Sequence, residues 1–164
     1  TEPGLEATRF YDPIRGTFAA GAQAAVVEVD VATGRVHIRR YVCVEDTGRV
    51  INPLIVEGQV QGALAQGIGG ALLEHLIYDD AGQLLTGTLM EYALPTAADV
   101  PAFELTHVEV PAENLLGVRG VGEGGTLGPP AVLANAVSDA LAPFGTEVNE
   151  LPITPARLWA SGLG

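Results

Sequence analysis

The sequence predicts an α+β fold, with a mostly antiparallel sheet and two main helices packed on one face. Three observations predict it. The segments QAAVVEVDV and RVHIRRYVCVED alternate apolar and polar residues around a short ATG turn, the pattern of a half-buried β-hairpin. PLIVEGQVQGALAQGIGGALLEHL carries Leu64, Ile68, Leu72 and Leu76 four apart, the spacing of one helix face. LGPPAVLANAVSDALA has Pro129 and Pro130 near its start, as a second helix would. With 164 residues, the chain is expected to fold as one domain, 1–164.

In chain order, residues 1–22 are rich in turn formers (Pro3, Gly4, Pro13, Gly16, Gly21) and read as an irregular arm. The hairpin follows, with Gly34 placed for a positive φ. A helix is expected over 53–76, with Pro53 in its first turn. Gly58, Gly62, Gly67, Gly69 and Gly70 lie inside it. Each interior glycine costs ~1 kcal/mol against alanine, so packing must hold this helix. Either a neighbouring helix or sheet, or a cofactor, comes close to its backbone. YDDAGQLL reads as a second hairpin turn with Asp80, Ala81 and Gly82 at the tip. Strands are expected over 84–89 and 103–110, separated by a proline-stopped loop, YALPTAADVP. The second helix is expected over 127–142. Ala131, Asn135 and Asp139 would share one face of it, and Val132, Ala136 and Ala140 the next. Thr154–Pro155 can cap and open a short terminal helix.

Charge excludes several functions. Eight Lys+Arg against twenty Asp+Glu give a net charge of −12, the wrong sign for tracking a nucleic-acid backbone or for a polybasic membrane contact. One cysteine, Cys43, makes neither an internal disulfide nor a zinc site of thiolates. No apolar run reaches the ~18 residues of a membrane span, and the opening TEPGLEATRF has no basic head or apolar middle. A reducing, cytoplasmic compartment is expected. The first residue is Thr, so the chain reads as processed or as a fragment.

The segment RGVGEGGTLGPP, residues 119–130, carries the chemistry. Five glycines fall between Arg119 and Gly128, just before a helix start. Backbone N–H groups in such a loop can approach a ligand closely. No Gly-Lys-Ser/Thr follows, so it is not a Walker loop, and no strand leads into it as a dinucleotide fingerprint requires. Glu123 stands between glycines and can reach whatever lies in the loop, as a general base must. The plainer reading is that Glu123 caps the helix, where an acid is favourable.

GVGEGGTLGPPAVLANAVSDAL resembles the C-terminal motif of the molybdenum-binding, catalytic subunit of the xanthine dehydrogenase, aldehyde oxidase and aerobic carbon monoxide dehydrogenase family. GLEATRFYDP, VVEVDVATGRVHIRRYVCVEDTGRVINPLIVEGQVQGALAQGIGGAL and LLTGTLMEYALPTAADVP resemble successive blocks of that subunit's end, in the family's order. The resemblance covers nearly the whole chain. It implies that Glu123 is the active-site base and that Gln59 touches the pterin of a molybdopterin cofactor. It implies that Gly120, Val121 and Gly122 line the metal end by their backbone. Asp46 and Gly48 would help to hold a cytosine-dinucleotide tail where that form of the cofactor is present. No side chain is implied as a ligand to molybdenum. The implied reaction oxidises an aldehyde, an N-heterocycle or carbon monoxide with water as oxygen source, in a hetero-oligomer. The rest of the molybdenum subunit, an iron–sulfur subunit carrying [2Fe–2S] and, in some members, a flavin subunit carrying FAD would be the partners. The family's subunit is several times longer and supplies much of the pocket from its earlier part. Arg119 stands where Lys is common and can act as a positive neighbour; Gly124–Gly125 stand where Pro or Ser often follows the Glu.

Two other readings stay open: a cofactor-holding or delivery module in which Glu123 is dispensable, and a structural domain that only packs against partners. His37, His75 and His107 are too scattered for a metal site, with His37 expected on the solvent face and His75 near a helix end. Cys43 is expected to be buried, near the cofactor tail on the family reading. Asp79, Asp80 and Asp99 read as turn residues. Glu45 and Asp46 are adjacent on a strand and so face opposite sides. Trp159 reads as a packing anchor for the last helix.

Overall fold

The computed structural model describes residues 4–13 and 15–163; the turn expected at Pro3 lies outside them. The described part of the arm, to Ala19, is irregular. Strands β1 (Ala20–Asp30) and β2 (Arg35–Asp46) form the expected hairpin, antiparallel throughout. Gly34 turns it at φ 69°. The Asp30 carboxylate accepts from the Ala32 amide at 2.9 Å and the Thr33 hydroxyl at 2.7 Å, which closes the turn.

The register slips between Val26 and Val27, which pair with Arg40 and Ile38. Arg39 is the extra residue of a bulge, and a bulge moves the following side chains to the other face. Before it, Val36 and Ile38 point inward; after it, Tyr41, Cys43 and Glu45 do. One inner face therefore runs the length of β2. His37 is exposed, as expected.

Helix α1 (Pro53–Leu72) starts with Pro53 in its first turn and Asn52 as its cap, whose side chain accepts from the Ile55 amide. It ends four residues earlier than its apolar spacing predicts. Leu73 leaves helical geometry, and its amide and that of Glu74 share the Gly69 carbonyl, each at 2.8 Å. Pro95 packs against Gly69 there, 2.8 Å from where a Cβ would stand, so the next loop occupies the space another turn would need. Leu76 is exposed instead of extending the buried row, and His75 lies beyond the helix, exposed.

The second hairpin reduces to one backbone bridge, Tyr78 to Leu84. Its tip forms as expected: the Asp79 carboxylate accepts from the amides of Ala81 and Gln83, and Gly82 has φ 80°. The strand expected over 84–89 does not form. Gly87 interrupts it, a turn begins at Thr88, and among the described residues the Tyr78–Leu84 bridge is the only pairing this segment makes. The Asp99 carboxylate closes the next loop by accepting from the Thr96 amide and hydroxyl.

Strand β3 (Phe103–His107) covers the first five residues of the span expected over 103–110 and pairs parallel with β2. The sheet is thus mixed, in the order β1-β2-β3. A parallel neighbour needs a crossover, here α1 and the loops after it. The antiparallel pairing remains the longer of the two.

A single 3-10 turn (Gly124–Leu127) leads into helix α2 (Gly128–Leu141). Pro129, Leu133, Val137 and Leu141 form its buried row; Ala131, Asn135 and Asp139 are exposed. Both helices share one core with the inner face of β2: Tyr41, Cys43, Val60, Leu64, Ile68, Leu133, Val137 and Leu141 are all buried. The α+β architecture with both main helices on one face is therefore the observed one. Thr154 caps the short helix α3 (Pro155–Leu158) through the Arg157 amide at 3.3 Å. Leu158, rather than Trp159, is its buried anchor. Trp159 is 46% exposed and lies against the turn at Gly34.

Candidate functional site

The sheet delivers the site residues through the turn after β2. Asp46 Oδ1 accepts from the Gly48 amide at 2.9 Å and the Val110 amide at 3.1 Å. Gly48 has φ 66°, and a Cβ there would stand 3.1 Å from the Arg119 backbone nitrogen. The turn zips onto residues 117–119: the Arg49 amide donates to Gly117 and the Arg119 amide to Thr47, each at 2.8 Å. Asp46 and Gly48 are thus brought together, and the segment they grip runs directly into Gly120, Val121 and Gly122.

Arg119 is a brace. Its guanidinium donates to the carbonyls of Val110 and Phe18, at 3.2 and 2.7 Å, and lies 3.4 Å from Asp46 Oδ2. The Val110 and Gly48 amides, with Arg119 beside them, hold the Asp46 carboxyl below the usual carboxylate range. A lowered folded value stabilises the fold above the unfolded pKa of about 3.9, and that contribution is lost as pH falls through the folded value. Asp46→Asn should therefore lower the melting temperature at neutral pH and flatten the acid limb of the thermal-melting profile below about pH 4, where the two proteins converge. An unchanged acid limb would rule this out.

Val121 packs on the core while Gly120 and Gly122 stay exposed on either side. The loop then crosses α1. A Cβ on Gly122 would stand 3.6 Å from Gln59 Nε2, and one on Gly125 would stand 3.0 Å from Ala63 Cβ and 3.2 Å from the Val60 carbonyl. Gln59 and Gly122 are therefore neighbours. Glu123 is exposed, and its side chain makes no capping hydrogen bond; only its carbonyl is used, by the Thr126 amide at 3.0 Å.

The glycines of α1 divide by surroundings. A Cβ on Gly67 would stand 2.7 Å from Pro129 Cγ and 2.8 Å from the Thr126 carbonyl, so there a neighbouring element approaches. Gly58 and Gly62, like Gly120, have nothing within 4 Å. They leave the helix surface open beside Gln59. The open surface there leaves room for a flat ring, and the Gln59 amide offers it one donor group and one acceptor, as a planar, nitrogen-rich ring such as a pterin needs.

Beneath the loop lies a polar patch that sequence reasoning missed. The Tyr41 hydroxyl donates to Gln23 Oε1 at 2.7 Å, and Gln23 Nε2 donates to the Gly125 carbonyl at 3.2 Å. Cys43, buried as expected, has its thiol pushed up to about 12, first by burial and then by Glu45. It donates to Glu45 Oε1 at 3.6 Å. Among the described residues no group of three or more His, Cys, Asp and Glu is placed to hold a metal ion, and no helix is long and apolar enough to cross a membrane.

Residues 1–101 match the family described as molybdopterin cofactor-binding domain. The chain belongs to that family. Similar proteins extend the likeness past the loop of Glu123. The nicotine 6-hydroxylase large subunit of Paenarthrobacter nicotinovorans is 47% identical over 158 residues, 96% of this chain and 19% of that one. The carbon monoxide dehydrogenase large chain of Hydrogenophaga pseudoflava is 40% identical over 98% of this chain and 20% of its own. Among solved structures, the Cu,Mo-CO dehydrogenase superposes with TM-score 0.90 at 36% identity, over 98% of this chain and 20% of that one. Quinoline 2-oxidoreductase from Pseudomonas putida 86 superposes at 0.83 and 46% identity, over 87% of this chain and 18% of that one. The molybdopterin-binding chain thus spans about a fifth of the length of these relatives.

Proposed function

We propose that this chain forms one wall of a molybdenum hydroxylase active site, with Glu123 as the base. The observation that carries this reading is that the loop of the exposed Glu123 meets the Gln59 amide at Gly122, beside the open surface at Gly58 and Gly62. Gln59 and the 120–122 backbone would hold the pterin, and the Asp46–Gly48 turn would border its tail in a cytosine-dinucleotide form. A bound molybdenum–pterin group would supply the two-electron oxidation of an aldehyde, an N-heterocycle or carbon monoxide. Glu123 would accept the proton of the water-derived nucleophile at its carboxylate. The remaining length of the subunit would complete the pocket, and separate iron–sulfur and flavin subunits would take the electrons.

The family match ends at residue 101 and so includes Gln59 but not Glu123. That favours a second reading, a cofactor-holding module in which Glu123 is dispensable. Glu123→Gln in the full enzyme separates the two. Turnover lost with molybdenum and pterin retained supports the base; unchanged turnover withdraws it in favour of the module.

A further inference from the structure

Among the described residues Glu45 is the only buried carboxylate, 3% exposed. It ends the inner row of β2 and pairs with His107 across the parallel edge. Its Oε1 accepts from the Cys43 thiol, but its Oε2 is buried without a partner. Both oxygens lie under the residues that follow Glu123. A Cβ on Gly124 would stand 3.6 Å from Oε2, and one on Gly125 would stand 3.3 Å from Oε1. A leucine could fill this space without the cost of an orphaned polar atom. The carboxyl is therefore retained against stability, at the root of the loop that carries the proposed base.

We propose that Glu45 is a positioning residue: its carboxyl seats Gly124 and Gly125 and thereby fixes where the loop holds the Glu123 carboxylate. This rests on the reading of Glu123 as base. Gln23 completes the seat, holding the Gly125 carbonyl from β1 and abutting Gly128 at the start of α2. Burial raises the Glu45 carboxyl toward its neutral form, with the Cys43 thiol and His107 pulling the other way.

The test compares Glu45→Ala, Glu45→Gln and Glu45→Leu in the full enzyme. It reads kcat, KM, molybdenum content and hydrogen exchange of the peptide spanning 120–128. Glu45→Ala should lower kcat roughly 10- to 100-fold, the scale on which a misplacement of about 1 Å acts, with KM and molybdenum content unchanged and exchange in the peptide faster. Glu45→Gln, a neutral isostere, should restore most of the rate and slow the exchange again; Glu45→Leu should not. Rescue by leucine, or unaltered exchange in both the alanine and leucine variants, overturns the proposal, because packing alone would then explain the site. If the alanine variant does not fold, the comparison of glutamine with leucine still decides. The exchange readout needs no turnover, so it stands if Glu123 proves not to be the base.

Discussion

Glu123→Gln should lower kcat by about 10²–10⁴-fold, the usual contribution of a positioned general base, with molybdenum and pterin content unchanged. The substitution keeps the volume and reach of the side chain and removes its charge and with it its ability to take a proton. It should cost the fold little. The Glu123 side chain is exposed and makes no capping bond, and surface substitutions of that kind stay within about 0.5 kcal/mol. Melting temperature and metal content therefore serve as internal controls for the kinetic loss. Glu123→Asp sharpens the test. It keeps the charge but withdraws the carboxylate by one methylene, so it should fall between wild type and the glutamine variant. Equal turnover in all three would end the assignment of a base on this loop.

How much of this was legible in the sequence depended on whether a local pattern decided it. The hairpin was, because alternation and Gly34 are both local signals, and φ at Gly34 is 69°. The buried row of α1 was legible at Leu64 and Ile68 but not at its end, because Pro95, more than twenty residues later, occupies the space beside Gly69. The strand expected over 84–89 failed for a related reason: a strand exists only with a partner edge, and partners are not written locally. Glu45 was hidden by the bulge at Arg39. Without that extra residue its parity would match exposed His37; with it, Glu45 joins Tyr41 and Cys43 on the inside. The candidate site was legible only in part. Glycine spacing marked α1 and the 120–125 loop as places of close approach. It could not say that Gln59 and Gly122 meet, since that contact joins segments more than sixty residues apart. Nor could it sort the glycines, which split between the close approach of α2 at Gly67 and bare surface at Gly58 and Gly62.

That split gives opposite signs within one helix. Gly67→Ala should destabilise the fold, while Gly70→Ala should stabilise it. At Gly70 a Cβ meets nothing within 4 Å, so only helix propensity changes, a gain of up to ~1 kcal/mol. At Gly67 the same methyl meets the Pro129 ring at 2.7 Å and the Thr126 carbonyl at 2.8 Å. A proline ring and a backbone carbonyl cannot swing aside as a flexible side chain can, so α2 and the 3-10 turn before it must shift. Overpacking of this kind costs about 1–3 kcal/mol, which meets or exceeds the ~1 kcal/mol gained from propensity. The shift would carry the loop with it, because Thr126 belongs to the turn that follows Glu123. Gly67→Ala should therefore lower both melting temperature and kcat, and Gly70→Ala should raise melting temperature with kcat unchanged. Thermal unfolding and steady-state rates on the two variants side by side would show it. If both variants gained stability, the close packing of α1 against Pro129 would be excluded, and with it the route by which that helix sets the position of the Glu123 loop.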